Sequence, residues 1–253
     1  KASKRLEAFF MCFGFHYLYC FFSMGSMNNY IKEYSKAVDT SNKPPRLLTL
    51  LLLADLAFIS IHCLFVIGVI SGPSYSIEAD LGFAEIYQYI KEFWIVVLLL
   101  MLAFKKQHII YLSWSLLFIY LLLDDCFQIH EIGGSLLAAY FDFKPMFRLR
   151  PQDFGELIVS SVFGFIFLTF IGASLFMSDN MAKRVSKNLF FLLIMLSFFG
   201  VFIDMLHIAI PWATSIWGLI EDGGEMIVIS VILWYSFGIE TEPTQTSPRH
   251  PTA

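Results

Sequence analysis

Seven acidic side chains and two imidazoles lie inside or at the edge of long apolar runs, where charged groups are least expected. They are Asp124, Asp125, His130, Glu131, Asp204, His207, Glu221, Asp222 and Glu225. An ionisable group within a membrane span costs roughly 2.5–3.5 kcal/mol on insertion scales, and it persists where it faces the bundle interior and has partners. Seven carboxylates brought close together in a low dielectric cannot all be ionised. Either a di- or trivalent cation neutralises them, or several hold protons and form a relay.

Spacing favours particular ligands for the cation. Asp204-x-x-His207 puts a carboxylate and an imidazole one turn apart, and Glu221 and Glu225 are stacked one turn apart on the last apolar run. Carboxylates with helical x-x-His pairs recur in di-iron bundles, and oxygen ligands with two imidazoles suit Zn, Mn or Fe. Asp204, His207, Glu221 and Glu225 are therefore the first-choice ligands, completed by Asp124 and Glu131. Asp124, Gln128 and Glu131 share a helical face, whereas His130 lies roughly a third of a turn away and joins them only if its helix ends early. Asp222 or Asp125 is left as general base towards a metal-bound water. Such a centre makes a metal-dependent hydrolase or oxidase acting on a lipid or other hydrophobic substrate. The alternatives are the ion site of a proton- or cation-coupled transporter or channel, against which the lack of a comparable polar track towards side one argues, and a structural polar network in a non-catalytic subunit. Taken singly, Asp204 and His207 also suit a hydrogen-bonded pair at a helix end.

The elements that must position these groups are membrane helices. Hydrophobic residues make up 57% of the 253, only 15% are charged, and the mean hydropathy is +0.68. A soluble domain carries about a quarter charged residues. A bilayer core of ~30 Å needs about 20 apolar helical residues, and seven segments qualify: 8–27, 47–71, 83–104, 108–132, 154–177, 187–210 and 215–238. The fold class is thus an all-α polytopic transmembrane bundle of seven spans. Six remain possible, because His16, Tyr17 and Tyr19 interrupt the first run. The bundle covers 1–239, and the Pro-, Thr- and Ser-rich tail 240–253 reads as disordered. The start at Lys1 has the outline of a signal peptide without a small-x-small cleavage site, so the first run is read as a retained span.

Alternating the spans brings the acids to one depth. Asp124, Asp204 and Glu221 all fall about two turns from the same face, here side two, where Glu85, Gln88, Tyr89 and Glu92 also open the third span on one face. Ten basic residues (Lys32, Lys36, Lys43, Arg46, Lys105, Lys106, Lys183, Arg184, Lys187 and Arg249) flank the opposite side one. Six (Lys1, Lys4, Arg5, Lys144, Arg148 and Arg150) flank side two. The bias makes side one cytoplasmic, with the C-terminus there, in a plasma or inner membrane. A transporter would need discontinuous helices, for which Gly223-Gly224 is the candidate break. Asp55 and His62, seven apart on one helical face, are expected to pair with each other or with His16. Cys12, Cys20, Cys63 and Cys126 lie in apolar runs with no CxxC pair and read as small apolar residues. No basic patch suggests nucleic acid, and the bilayer is the expected partner. The last span has no Lys, which excludes a retinal Schiff base of the microbial rhodopsin type. The layout resembles the seven-helix hydrolases related to alkaline ceramidases, which hold a metal near one membrane face. Where their last helix has H-x-x-x-H, this one has Glu221-x-x-x-Glu225.

Overall fold

The computed structural model describes residues 45–146, 148–210, 212 and 214–241. The first apolar run, its stripe from Cys12 to Ser23 and the tail beyond Thr241 lie outside the described residues. The described chain is helical: α1 (Pro45–Val66), a 3-10 turn (Pro73–Tyr75), α2 (Phe83–Lys106), α3 (Ile109–Phe127), α4 (Ile129–Phe141), α5 (Pro151–Phe176), α6 (Asn180–Ser197), a π-helical segment (Phe198–Ile203), α7 (Asp204–Ala209) and α8 (Thr214–Thr241). No strand occurs among the described residues.

Among the described residues, five stretches are long and apolar enough to cross a membrane: Arg46–Val66, α2, α3, α5 and the continuous run Asn180–Ala209. The seven expected spans are thus represented by five. One apolar run lies outside the described residues, and α8, 28 residues long, carries Glu221, Asp222 and Glu225 in its first half. The exterior carries many large apolar side chains, compatible with a membrane. Phe176 is 89% exposed and Phe104 72%, whereas Lys91 and Asp153 are 0% exposed. Apolar surface outside and charge inside is the reverse of a water-soluble protein.

Apolar packing fills the half of the bundle nearer side one. Ile95, Leu99 and Leu102 of α2, Trp114 and Phe118 of α3, Leu189 of α6 and Ile229 and Ile232 of α8 form its dry centre. A few polar pairs tie that half together, namely Trp114 Nε1 donating to Ser186 Oγ at 2.7 Å and Asn188 Nδ2 to the Tyr235 hydroxyl at 2.8 Å. The half nearer side two carries the acids.

Two local departures from the expected helices position that acidic half. The run 108–132 is not one helix, because Gln128 is left-handed (φ 51°, ψ 45°) and separates α3 from α4. The Asp124 carboxylate stabilises the break by accepting the first-turn N–H of His130 at 2.8 Å, a donor that a helix start otherwise leaves unpaired. Gln128 itself donates from Nε2 to Asp80 at 3.1 Å. The expected shared face of Asp124, Gln128 and Glu131 therefore does not exist. The second departure is the π segment between α6 and α7. It adds width to the turn without breaking the span, while α8 runs straight through Gly223-Gly224, the break expected from sequence.

α4 then folds back across α5 with backbone against backbone. A Cβ on Gly155 would overlap the Gly134 carbonyl, and a Cβ on Gly134 would meet the Glu156 backbone. Small residues permit such crossings in membranes. Gly155→Val is expected to lower the melting temperature sharply, since overpacking costs about 1–3 kcal/mol. Gly164→Ala, at a site with no neighbouring atom within 4 Å, should leave it unchanged. Heating detergent-purified protein and following the monodisperse peak by size exclusion checks both.

Candidate functional site

α2 supplies the spine of the site because its first half is amphipathic in an unusual sense, with acids on one face and an amine on another. On the first face, Gln88 Nε2 donates to Glu225 Oε2 of α8 at 3.4 Å, and the Tyr89 hydroxyl donates to the Asp125 carbonyl of α3 at 3.1 Å. Glu85 accepts the backbone N–H of Leu81 and so fixes the start of the helix. Glu92, one turn deeper and 1% exposed, has Asp125 and Glu225 as acidic neighbours.

Glu225 is pressed into this layer by the π segment. A Cβ on Gly200 would overlap Glu225 Oε1, and a Cβ on Gly224 would overlap the Phe199 ring. Gly200 thus makes room for the acid and Gly224 for the aromatic ring. With i→i+5 bonding, the four positions Ser197, Gly200, Asp204 and His207 no longer keep the single α-helical face read from the sequence.

Nearer side two, the ionisable groups form pairs rather than one sphere. His207 Nδ1 lies 2.9 Å from Glu221 Oε2, joining α7 to α8. Asp204 has Glu221, Glu156 and Asp153 as acidic neighbours, and Asp222 has Glu221, Glu78 and Asp204. His130 Nδ1 lies 3.0 Å from Asp124 Oδ2, a contact made possible by the early end of α3. Glu131 and Glu156 are its other acidic neighbours. Of the residues expected as ligands, Asp124 meets His130 and His207 meets Glu221. Glu225 sits a layer deeper with Glu92 and Asp125. Among the described residues, no three His, Cys, Asp or Glu side chains are grouped as a metal ion would require.

The residues that sequence reasoning missed are as informative. Of 17 Lys and Arg residues, sixteen flank the spans. The seventeenth, Lys91, is buried inside α2 and donates from Nζ to Asp55 Oδ1 at 3.0 Å, to the Met226 carbonyl at 2.8 Å and to Ser230 Oγ at 3.1 Å. The ammonium also lies 4.5 Å from the centre of the Tyr87 ring, a favourable place for a cation. One Lys inside an apolar window is a visible sequence signal, and Asp55 is the acid at matching depth. The expected Asp55–His62 pair is therefore replaced. His62 instead fixes the 67–82 loop, where its Nδ1 accepts the Ile77 N–H at 3.3 Å and lies 3.3 Å from Ser76 Oγ. Glu156 of α5 was also missed. It stands one turn beyond Asp153, whose carboxylate holds Arg150 at 2.7 Å, and it lies between the His130 and Asp204 groups as an acidic neighbour of both.

Compared with known proteins, residues 81–240 match the family described as Domain of unknown function (DUF8692). No curated protein and no solved structure matches the chain.

His130, in the short α4 outside the spans, gives a direct electrical readout. Burial pushes its pKa down, but the Asp124 carboxylate, followed by Glu131 and Glu156, more than offsets this and holds it above the ordinary value. A raised histidine pKa stabilises the fold at pH values below ~6.5, the unfolded value, and that contribution is lost as pH rises through the folded value. In Asp124→Asn only burial and the weaker acids remain, so the His130 pKa should fall. NMR of isotope-labelled histidine measures it, and an unchanged titration midpoint would sink the assignment.

Proposed function

The chain belongs to the DUF8692 family, and for it we propose proton handling at an intramembrane carboxyl site open to side two, as part of a proton-coupled transporter or channel. The observation that carries this reading is the Glu92–Asp125 carboxyl pair with Glu225 beside it. Acids crowded this closely away from water are not all ionised, so the group would hold a proton that can be passed on, and its depth beneath the His207–Glu221 and Asp204 layer gives a stepwise route from the side-two surface. Intramembrane chains of Asp, Glu and His are the usual means of moving protons within a bundle. Below the pair, the Ile95–Leu99–Leu102 core seals the bundle towards side one, so the route is one-sided at rest, as alternating access requires. On this reading α8 and the run 8–27 complete seven spans. Side one, with the C-terminus, faces the cytoplasm of a plasma or inner membrane, by the excess of basic residues there.

Infrared spectroscopy of the purified chain tests it through the C=O stretch of protonated carboxyls. Wild type should show that band at neutral pH, with loss on alkalinisation, and Glu92→Gln should remove the proton-exchanging part of it. A spectrum with no protonated-carboxyl signal, identical in wild type and Glu92→Gln, would falsify the proposal.

A second reading rests on the excess of acids over cations around Asp204, Glu221, Asp222 and Glu225, with His207 as the imidazole. A divalent ion (Zn, Mn or Fe) entering there would relieve the repulsion. With Asp124, His130 and Glu131 as outer ligands and Asp222 or Asp125 as base, the chain would be a metal-dependent enzyme acting on a lipid or other hydrophobic substrate. Elemental analysis decides it. The enzyme reading expects a stoichiometric metal that is lost in Asp204→Ala and Glu225→Ala, whereas equally low content in all three proteins excludes it.

A further inference from the structure

The Lys91 ammonium is held by a set of three buried oxygens rather than by a single ion pair. Three oxygens of three chemical kinds converge on it: the Asp55 carboxylate at 3.0 Å, the Met226 main-chain carbonyl at 2.8 Å and the Ser230 hydroxyl at 3.1 Å. A fourth is at hand. Asp55 Oδ2 is buried, in a residue 1% exposed, and among the described residues it has no hydrogen-bond partner. The oxygens come from α1 and α8, and Lys91 reaches them from α2. We infer that this oxygen cage is a seat for a small monovalent cation of the sodium class, and that Lys91 is its tethered competitor.

Ligand chemistry selects the class. Carboxylate, carbonyl and hydroxyl are hard oxygen donors, of the kind that bind hard cations and that hold coupling ions in membrane transporters. No imidazole or thiolate donates to the cage, which disfavours zinc and copper. Charge selects the valence. One carboxylate balances one positive charge, so replacing the ammonium by Na+ keeps the interior neutral, whereas a divalent ion would leave a net charge in a low dielectric. The displaced ammonium has somewhere to go. Glu92, the next residue, is its other acidic neighbour and belongs to the carboxyl pair, so withdrawal from Asp55 would bring the ammonium under the influence of a second acid. The inference rests on the proton-handling reading only for this link, through which cation entry at Asp55 would discharge a proton from the Glu92–Asp125 pair.

Thermal stability in matched salts tests the seat. In Lys91→Ala the cage is empty and Asp55 is uncompensated, so the melting temperature of the detergent-purified full chain should climb with sodium chloride and far less with choline chloride. Wild type should respond weakly. The double variant Lys91→Ala with Asp55→Asn should not distinguish the salts. An equal response of Lys91→Ala to both salts, or a sodium response that survives Asp55→Asn, overturns the inference. Should Lys91→Ala fail to fold in either salt, binding of radiolabelled sodium to wild type and to Asp55→Asn decides. Loss of binding in the variant supports the seat, and equal or absent binding in both overturns it. A negative result together with an intact protonated-carboxyl band removes the cation seat alone, while loss of that band removes the proton reading.

Discussion

The buried Lys91–Asp55 contact is the constraint from which the rest of the bundle can be reconstructed. A charge left unpaired in the interior is strongly destabilising, by about 3–5 kcal/mol when a buried pair is broken. The ammonium therefore fixes the approach of three helices at once. It sets α2 against α1 through Asp55 and against α8 through Met226 and Ser230. Once these three are registered, Glu92 and Gln88 necessarily face Glu225, and the acidic layer forms at a defined height. The apolar packing on its side-one flank, around Leu99, Trp114 and Ile232, adds bulk cohesion, but aliphatic contacts between membrane helices carry little orientation of their own.

Around that frame, the acidic half is assembled by irregular backbone. The left-handed Gln128 turns the chain so that His130 returns to Asp124, and the π segment brings Gly200 under Glu225. Both irregularities sit where polar groups crowd, and neither occurs in the apolar half. The two halves of the bundle thus obey different rules: regular helices with aliphatic packing towards side one, and interrupted helices with hydrogen-bonded acids towards side two.

Much of this was legible in the sequence. Segment lengths and hydropathy gave the helices, and a fixed rise per residue put Asp204 and Glu221 at one depth, where they are neighbours. The α2 face from Glu85 to Glu92 was also readable, since a continuous helix keeps its angular periodicity. What failed was angular prediction across a defect. A helix interrupted at Gln128, or widened at Phe198–Ile203, loses its phase, so the shared faces of Asp124 with Glu131 and of Ser197 with His207 could not be carried across. Partner choice failed for a different reason. Asp55 and His62 lie on one face, but periodicity along one helix says nothing of which neighbour arrives opposite, and Lys91 outcompetes an imidazole seven residues away. Glu156 escaped notice because it opens an apolar run and looks like an ordinary first-turn acid.

The π segment has an implication for how this chain tolerates change in length. A π turn is an α-helix holding one surplus residue. Deleting any one of Phe198–Ile203 would let the backbone relax to regular α geometry without shortening the span enough to matter to the bilayer. It would, however, remove the surplus residue whose local bulge brings Gly200 under Glu225, and so close the space beside that carboxyl. Single-residue indels in this window are therefore structurally mild yet chemically severe. In comparisons among members of the family, a one-residue gap here would mark chains that keep the architecture and have lost the site.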